Sequence, residues 1–285
     1  MPPSASARSF LGRILRANLG SFALTFGLLG LENALFLAYP LLGGFAIDAM
    51  LKGEALAASS YALMVLGFYA VGALRRAVDT RVFSIIYARL AAEVAADQHG
   101  RGESASRVVA RVDLAREFVE FFQDHLPMLA TSVISIFGAV AMLAWLDLTL
   151  GLASGLALAL VLIGLPAFAR RNETLHSRLN DQREREVDVL SRGSAVLRHF
   201  TLLSRLQVRL SDLEAGAYMA LGVIAGLLFL TAVLVLSRAE QMDAGRIYAV
   251  MTYLWTFVMS LDEAPRLAEH LAKLRDTAQR LGRIA

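Results

Sequence analysis

Long apolar runs alternate with arginine-rich polar segments along the chain. A helix needs about 20 mostly apolar residues to cross the hydrocarbon core of a bilayer. Six stretches satisfy this requirement, at roughly residues 19–46, 61–88, 126–146, 148–169, 215–237 and 247–265. The sixth is the weakest, because Asp262, Glu263 and Pro265 lie at its far end. The pattern predicts an all-α membrane protein with six transmembrane helices, in a single domain that covers residues 1–285.

The polar segments between these runs also have helical character. Residues 103–125 and 171–216 carry charges of both signs, leucine or valine at helical spacing, and no proline. This pattern is typical of a helix that continues out of the membrane. It predicts two long helical hairpins in the cytoplasm, one after the second span and one after the fourth.

The basic residues are distributed unevenly between the two sides of this arrangement. The side opposite the hairpins holds only Lys52, Arg238 and Arg246. Most of the 28 lysine and arginine residues fall within 1–18, 89–125, 170–214 and 266–285. Because cytoplasmic segments are enriched in these residues, both termini are predicted to be cytoplasmic. The first apolar run is too long for a signal peptide and is interpreted as a retained span of a multi-pass inner-membrane protein.

Composition excludes several classes of protein. Hydrophobic residues make up 56% of the chain and the mean hydropathy is +0.54, more than a soluble domain of this length requires. The absence of cysteine excludes disulfides, thiolate metal sites and cysteine nucleophiles. The five histidines lack metal-ligand spacing, and no serine nucleophile motif, dinucleotide fingerprint or nucleic-acid-binding module is present. The basic stretches are expected to contact anionic headgroups of the lipid bilayer.

The first span ends in an unusual stretch, "AYPLLGGFAIDAMLKGE", residues 38–54. Pro40 removes a helical hydrogen bond and kinks the chain. The paired glycines Gly43 and Gly44 permit a turn, which is predicted near the outer surface. Asp48 is predicted to mark the boundary with water.

Five segments resemble, in order, the motifs of one transporter family. The first contains a proline, a small-residue turn and an Ile-Asp pair, here Pro40, Gly44, Ile47 and Asp48. The others are "GESASRVVARVDLAREFVEFF" (102–122), "GSAVLRHF" (193–200), "DAGRIYAVMTYL" (243–254) and "AQRLGRI" (278–284). On six spans, these segments resemble the transmembrane domain of the six-helix ABC exporters. The resemblance implies a permease that moves a substrate by alternating access.

The resemblance also implies an assembly of two subunits. In the family, spans four and five cross over to pack on the partner subunit. Here these spans carry Gly151-x-x-x-Gly155 and Gly222-x-x-x-Gly226, a spacing that allows close approach between membrane helices. A homodimer is predicted, because no feature of the sequence indicates a different partner.

A nucleotide-binding domain normally follows this transmembrane domain, and its motif is absent from the chain. A phosphate-binding loop needs G-x-x-x-x-G-K-[ST], and no Gly-Lys pair occurs. The chain is therefore predicted not to be an enzyme, and ATP would act only through a separate ATPase subunit. The first hairpin, near 87–108, is shorter than in the family. This argues against docking of the ATPase subunit on that hairpin. The second hairpin is intact and supplies the candidate coupling residues Gly193, Arg198, His199 and Phe200, with arginine where the family has lysine.

Two alternatives to an ATP-driven permease remain open. The same fold works without an ATPase in some peptide transporters, so the chain could be a proton-coupled carrier. It could also be a membrane regulatory subunit with no transport of its own.

Charged and amide side chains at membrane depth are candidates for the transport cavity. Glu32 is the carboxyl expected to carry protons in an ion-coupled carrier, and its structural alternative is a salt bridge to span two. Arg75 and Asp79 are four residues apart and can pair on one helix face. The arginines can instead extend to the headgroups, and the acids at the end of span six can instead lie at a solvated helix end. The full set is Glu32, Asn33, Arg75, Arg76, Asp79, Arg81, Asp262 and Glu263.

Overall fold

The computed structural model describes residues 19–100, 102, 104–193, 196–238 and 243–263, and this part of the chain is helical without any strand. The described residues form eight α-helices, and a five-residue π-helical turn at Phe121–His125 lies between the third and the fourth. The helices are α1 (Leu19–Leu51), α2 (Ala55–Gly100), α3 (Ala105–Glu120), α4 (Leu126–Leu146), α5 (Leu148–Glu184), α6 (Glu186–Arg192), α7 (Val196–Leu236) and α8 (Ala244–Asp262).

Five helical segments are long and apolar enough to cross a membrane. They begin at Leu19, Ala55, Ala105, Leu148 and Val196, and each contains one of the first five predicted spans. The chain is therefore an all-α, multi-pass membrane protein. The sixth predicted span corresponds to α8, which is helical over 19 residues but is not among those five. The end of that span, the basic N-terminal segment and the segment 278–284 lie outside the described residues.

The glycine pair in the first helix does not form the predicted turn. Helix α1 runs without interruption through Pro40, Gly43 and Gly44 to Leu51. The turn instead forms at Gly53, whose φ of 78° lies in the left-handed region that favours glycine. The prediction of a turn at Gly43 and Gly44 was wrong, because tertiary contacts at these two residues keep them helical.

The chain divides into two compact units. The first contains residues 19–139 and 243–252 of the described chain, and the second contains 140–238 and 253–263. In the first unit, the ends of α2 and α3 pack on the start of α1 through a buried apolar cluster. Its members are Phe22, Phe83, Ile86, Leu90, Ala115 and Val119.

The first polar segment forms the predicted helical hairpin within this unit. Helix α2 continues to Gly100, and Ser104 precedes the first turn of α3. The connection includes Gly102, which has a φ of 71°. Arg116 on α3 lies over the ring of Tyr87 on α2 and donates hydrogen bonds to its hydroxyl oxygen at 3.1 and 3.3 Å. Direct contacts between α2 and α3 therefore hold the two helices of this hairpin together.

The second unit contains the other hairpin, formed by α5, α6 and α7. Asp147 caps the start of α5, since its carboxylate accepts hydrogen bonds from the backbone N–H groups of Thr149 and Leu150. At the far end, α6 lies between the two long helices and ends at Gly193, whose φ is 63°. Leu179 of α5 packs on Leu203 and Leu206 of α7. The long helices thus continue beyond the apolar runs, as the sequence predicts.

Candidate functional site

Three of the candidate charges form one connected network in the first unit. The guanidinium of Arg75 on α2 donates one hydrogen bond to a carboxylate oxygen of Glu32 on α1. A second hydrogen bond, 2.9 Å long, joins Arg75 Nη1 to Asp79 Oδ2. The exposed fractions of the three side chains are 17% for Glu32, 17% for Arg75 and 6% for Asp79. The network links two membrane helices. Glu32 therefore makes the salt bridge to span two that was its structural alternative in the sequence.

A glycine on α2 makes room for this network. Glu32 Oε1 lies 2.9 Å from the position that a Cβ atom on Gly72 would occupy. A side chain at that position would require the Glu32 carboxylate to shift. The carboxylate is paired with Arg75 in a part-buried contact, so such a shift would alter the geometry of the ion pair. Gly72 is therefore part of the site, although its position on α2 does not distinguish it in the sequence.

The neighbouring Asn33 makes a second polar contact between membrane helices. Its exposed fraction is 3%. The side-chain amide donates to the carbonyl oxygen of Leu29 at 2.8 Å and to Thr131 Oγ1 on α4 at 3.2 Å. The amide thereby fixes α1 against α4, at the residue next to the ion pair.

The remaining candidate charges lie outside this network. Arg76 and Arg81 are exposed, and Arg81 donates to the carbonyl oxygen of Ala77 on its own helix at 2.8 Å. Their exposure agrees with the alternative in which they extend to the headgroups. Asp262 and Glu263 are exposed at the end of α8, within the second unit, and their assignment to a cavity stays a prediction.

A third polar contact in the first unit joins two residues that the sequence does not predict to meet. Asp48 Oδ1 of α1 accepts a hydrogen bond from the backbone N–H of Gly245, in the first turn of α8, at 2.8 Å. A carboxylate at this position satisfies a free backbone donor and interacts favourably with the helix dipole. Gly44 and Gly245 meet backbone to backbone, and the ring of Tyr248 lies 2.6 Å from the position of a Cβ on Gly43. Both segments carry the resemblance to the family, but the sequence gives no signal that they touch.

The candidate coupling residues occupy the tip of the second hairpin. Gly193 ends α6, and Arg198, His199 and Phe200 lie in the first turns of α7. His199 is buried, and its Nδ1 lies 2.9 Å from the side-chain amide of Gln182 on α5. Arg198 and Phe200 are exposed. One residue of the motif therefore anchors the tip, while its neighbours face outward.

The four candidate packing glycines differ in their surroundings. Gly151 lies against the backbone and side chain of Ala144, in the hairpin between α4 and α5. At Gly155, Gly222 and Gly226 a Cβ atom would meet nothing within 4 Å in the described chain. Gly151 closes a contact within one subunit, and the role of the other three in a dimer stays a prediction.

No group of three histidine or acidic side chains within the described residues is arranged to hold a metal ion.

The comparison with known families decides the identification. A sequence model of the ABC transporter transmembrane region matches residues 11–245. The chain belongs to the ABC transporter transmembrane region family. No curated protein matches the chain significantly. As a member of this family, the chain is a membrane transporter subunit.

Proposed function

We propose that this chain is the permease subunit of an exporter-type ABC transporter that is energised by a separate ATPase subunit. Two copies would enclose the pathway and move a substrate across the inner membrane by alternating access. The chain itself would have no catalytic activity, and ATP would bind only to the partner. Both termini and both hairpins would lie on the cytoplasmic side, because these segments carry most of the arginine residues.

The observation that carries this proposal is the tip of the second hairpin. Three apolar side chains on and beside α6 are strongly exposed: Val187 by 75%, Leu190 by 53% and Leu197 by 83%. They lie in a segment that carries charges of both signs and falls outside the apolar runs, so no lipid contact is expected there. Burying such a side chain completely contributes about 1.5–3 kcal/mol, which favours a protein partner at this position.

The hairpin is built to transmit a displacement of its tip. The His199–Gln182 contact and the packing of Leu179 against Leu203 and Leu206 join α5 to α7 close to α6. Each of these long helices continues into an apolar run, without a break, on the other side of this packing. A partner that moves α6 would therefore move the membrane ends of both helices together.

The geometry of Glu32 favours this function over a proton-coupled carrier. Glu32 and Asp79 share the guanidinium of Arg75, so the Glu32 carboxylate is engaged in a contact between two helices. A carboxyl that cycles protons has to lose this partner during each cycle. A structural role for the network, in holding α1 to α2, requires no such step.

The test is purification of the tagged protein from its native membrane in a mild detergent, with identification of co-purifying chains by mass spectrometry. We expect a stoichiometric nucleotide-binding subunit and vanadate-sensitive ATP hydrolysis. Leu197→Asp should remove that subunit, because a charge replaces an apolar contact at the tip. The control is Val109→Asp in the first hairpin, where an apolar side chain that is 60% exposed is replaced by the same charge.

The outcomes separate the alternatives. If a dimer purifies without an ATPase, the proposal fails. Transport by proteoliposomes that depends on a pH gradient and is lost in Glu32→Gln would then support the proton-coupled carrier. If neither ATP nor a pH gradient drives uptake of any tested substrate, a regulatory role without transport gains support.

A further inference from the structure

The second unit contains a cavity that the proposed transport function does not use. It lies between α5 and α7 and has a volume of about 510 Å³, within the range of sites that hold small ligands. Apart from one arginine and one aspartate, every lining residue is apolar or glycine. On α5 the lining runs from Leu160 to Arg171, on α7 from Asp212 to Ile224, and Leu261 of α8 completes it.

The two charged residues lie at the same end of the cavity. Arg171 is the last lining residue of α5, and Asp212 is the first lining residue of α7, which runs back along α5. They fall just outside the fourth and fifth apolar runs, at the boundary between hydrocarbon and water. Both side chains are exposed, and neither makes an ion pair or hydrogen bond with another described residue. The mouth of the cavity therefore presents one free cation and one free anion.

The depth of the cavity corresponds to one leaflet of a bilayer. Arg171 follows Leu160 by eleven positions in the same helix, and at a rise of 1.5 Å per residue this spans about 16 Å. The hydrocarbon core is about 30 Å thick, so the apolar end lies near the midplane. A molecule that fills the cavity has to be apolar along this length and charged at one end.

We propose that this cavity binds a phospholipid of the adjacent leaflet, whose headgroup carries both a phosphate and a primary ammonium. An acyl chain would lie between α5 and α7, the Arg171 guanidinium would bind the phosphate, and the Asp212 carboxylate would accept hydrogen bonds from the ammonium. An anionic headgroup without a cation would leave Asp212 facing the phosphate. A quaternary ammonium has no N–H group to donate. The charges at the mouth therefore select a phosphoethanolamine headgroup.

The glycines in the cavity wall provide a variant that fills the site without disturbing the fold. At Gly164 on α5 and Gly216 on α7 a Cβ atom would meet nothing within 4 Å. Gly216→Leu should therefore place its side chain in the cavity, and helix propensity favours the change. Ala215→Leu is the control, because Ala215 lies on the same helix, is exposed, and does not line the cavity.

The experiment is native mass spectrometry of the intact protein, purified in detergent and titrated separately with dioleoyl phosphatidylethanolamine, phosphatidylglycerol and phosphatidylcholine. We expect one phosphatidylethanolamine per chain to bind most tightly. Gly216→Leu should abolish that binding, and Ala215→Leu should retain it. The oligomeric state of each variant is read from the same spectra.

Charge substitutions at the mouth test the headgroup assignment. Arg171→Gln should weaken binding of all three lipids about tenfold, from loss of a charged hydrogen bond. Asp212→Asn should weaken phosphatidylethanolamine binding by about the same factor and leave phosphatidylglycerol binding unchanged or stronger. The controls are Arg170→Gln and Glu214→Gln, neighbouring charges that do not line the cavity.

Three results would overturn the proposal. Unchanged lipid binding in Gly216→Leu would mean that the retained lipid is an adventitious additive only, bound elsewhere on the apolar surface. Equal weakening of phosphatidylethanolamine and phosphatidylglycerol in Asp212→Asn would contradict the ammonium contact. Loss of the dimer in Gly216→Leu, with lipid binding unaffected, would assign the cavity to a second copy of this chain. None of these results depends on whether an ATPase subunit exists.

Discussion

The contact between Gly44 and Gly245 provides the sharpest test of how the first unit is held together. Each glycine lies against the backbone of the other, and Gly44 would bring a Cβ atom within 3.0 Å of the Gly245 carbonyl carbon. Backbone atoms cannot move aside as the end of a flexible side chain can. Gly44→Ala should therefore separate α1 from α8 and lengthen the hydrogen bond from Gly245 to Asp48, which is 2.8 Å long.

The magnitude follows from a comparison with a second glycine of the same helix. Gly30 also lies in α1, but a Cβ at this position meets nothing within 4 Å. Alanine is favoured over glycine inside a helix by about 1 kcal/mol at either position. That gain is common to both variants, so the difference between them measures the contact. Overpacking typically costs about 1–3 kcal/mol, and weakening of the Asp48 hydrogen bond adds about 1 kcal/mol.

The measurement is the midpoint of thermal unfolding in detergent, monitored by circular dichroism. The detergent concentration is the same for each variant. Gly30→Ala should unfold at or slightly above the temperature of the unmodified protein, and Gly44→Ala clearly below it. Asp48→Asn should fall between these two, because it keeps an acceptor for Gly245 but loses the charge. Equal midpoints for Gly44→Ala and Gly30→Ala would refute the contact between α1 and α8.

Three further predictions concern polar contacts in the two units, and thermal unfolding measures each of them. Arg75→Gln should destabilise the protein by about 1–3 kcal/mol and more than Glu32→Gln does, because it leaves two carboxylates without a cation. The reverse order would contradict the network. Asp147→Ala should cost about 1 kcal/mol through loss of the cap on α5, and no change would mean that water replaces the cap. Gln182→Leu should cost about 1–3 kcal/mol because it removes the partner of the buried His199, and an unchanged midpoint would show that this contact does not anchor the hairpin.

Much of the fold follows from the sequence alone. An apolar run of sufficient length has to be helical in a bilayer, because its backbone groups find no other hydrogen-bond partners there. The family resemblance rests on short motifs in a fixed order, and the match over residues 11–245 confirms it. Pairing of Arg75 with Asp79 is similarly local, since residues four apart share a helix face.

Only the tertiary structure decided which distant residues meet. Glu32 and Arg75 are 43 residues apart, and Asp48 and Gly245 are 197 apart. Helical periodicity places each residue on a face of its own helix, but it does not say which other helix that face contacts. For the same reason Gly43 and Gly44 suggested a turn, because a glycine at a turn and a glycine at a close helix contact are the same residue in a sequence. The packing of α1 on α8 distinguishes them, since it makes any larger side chain at Gly44 collide with the backbone of Gly245.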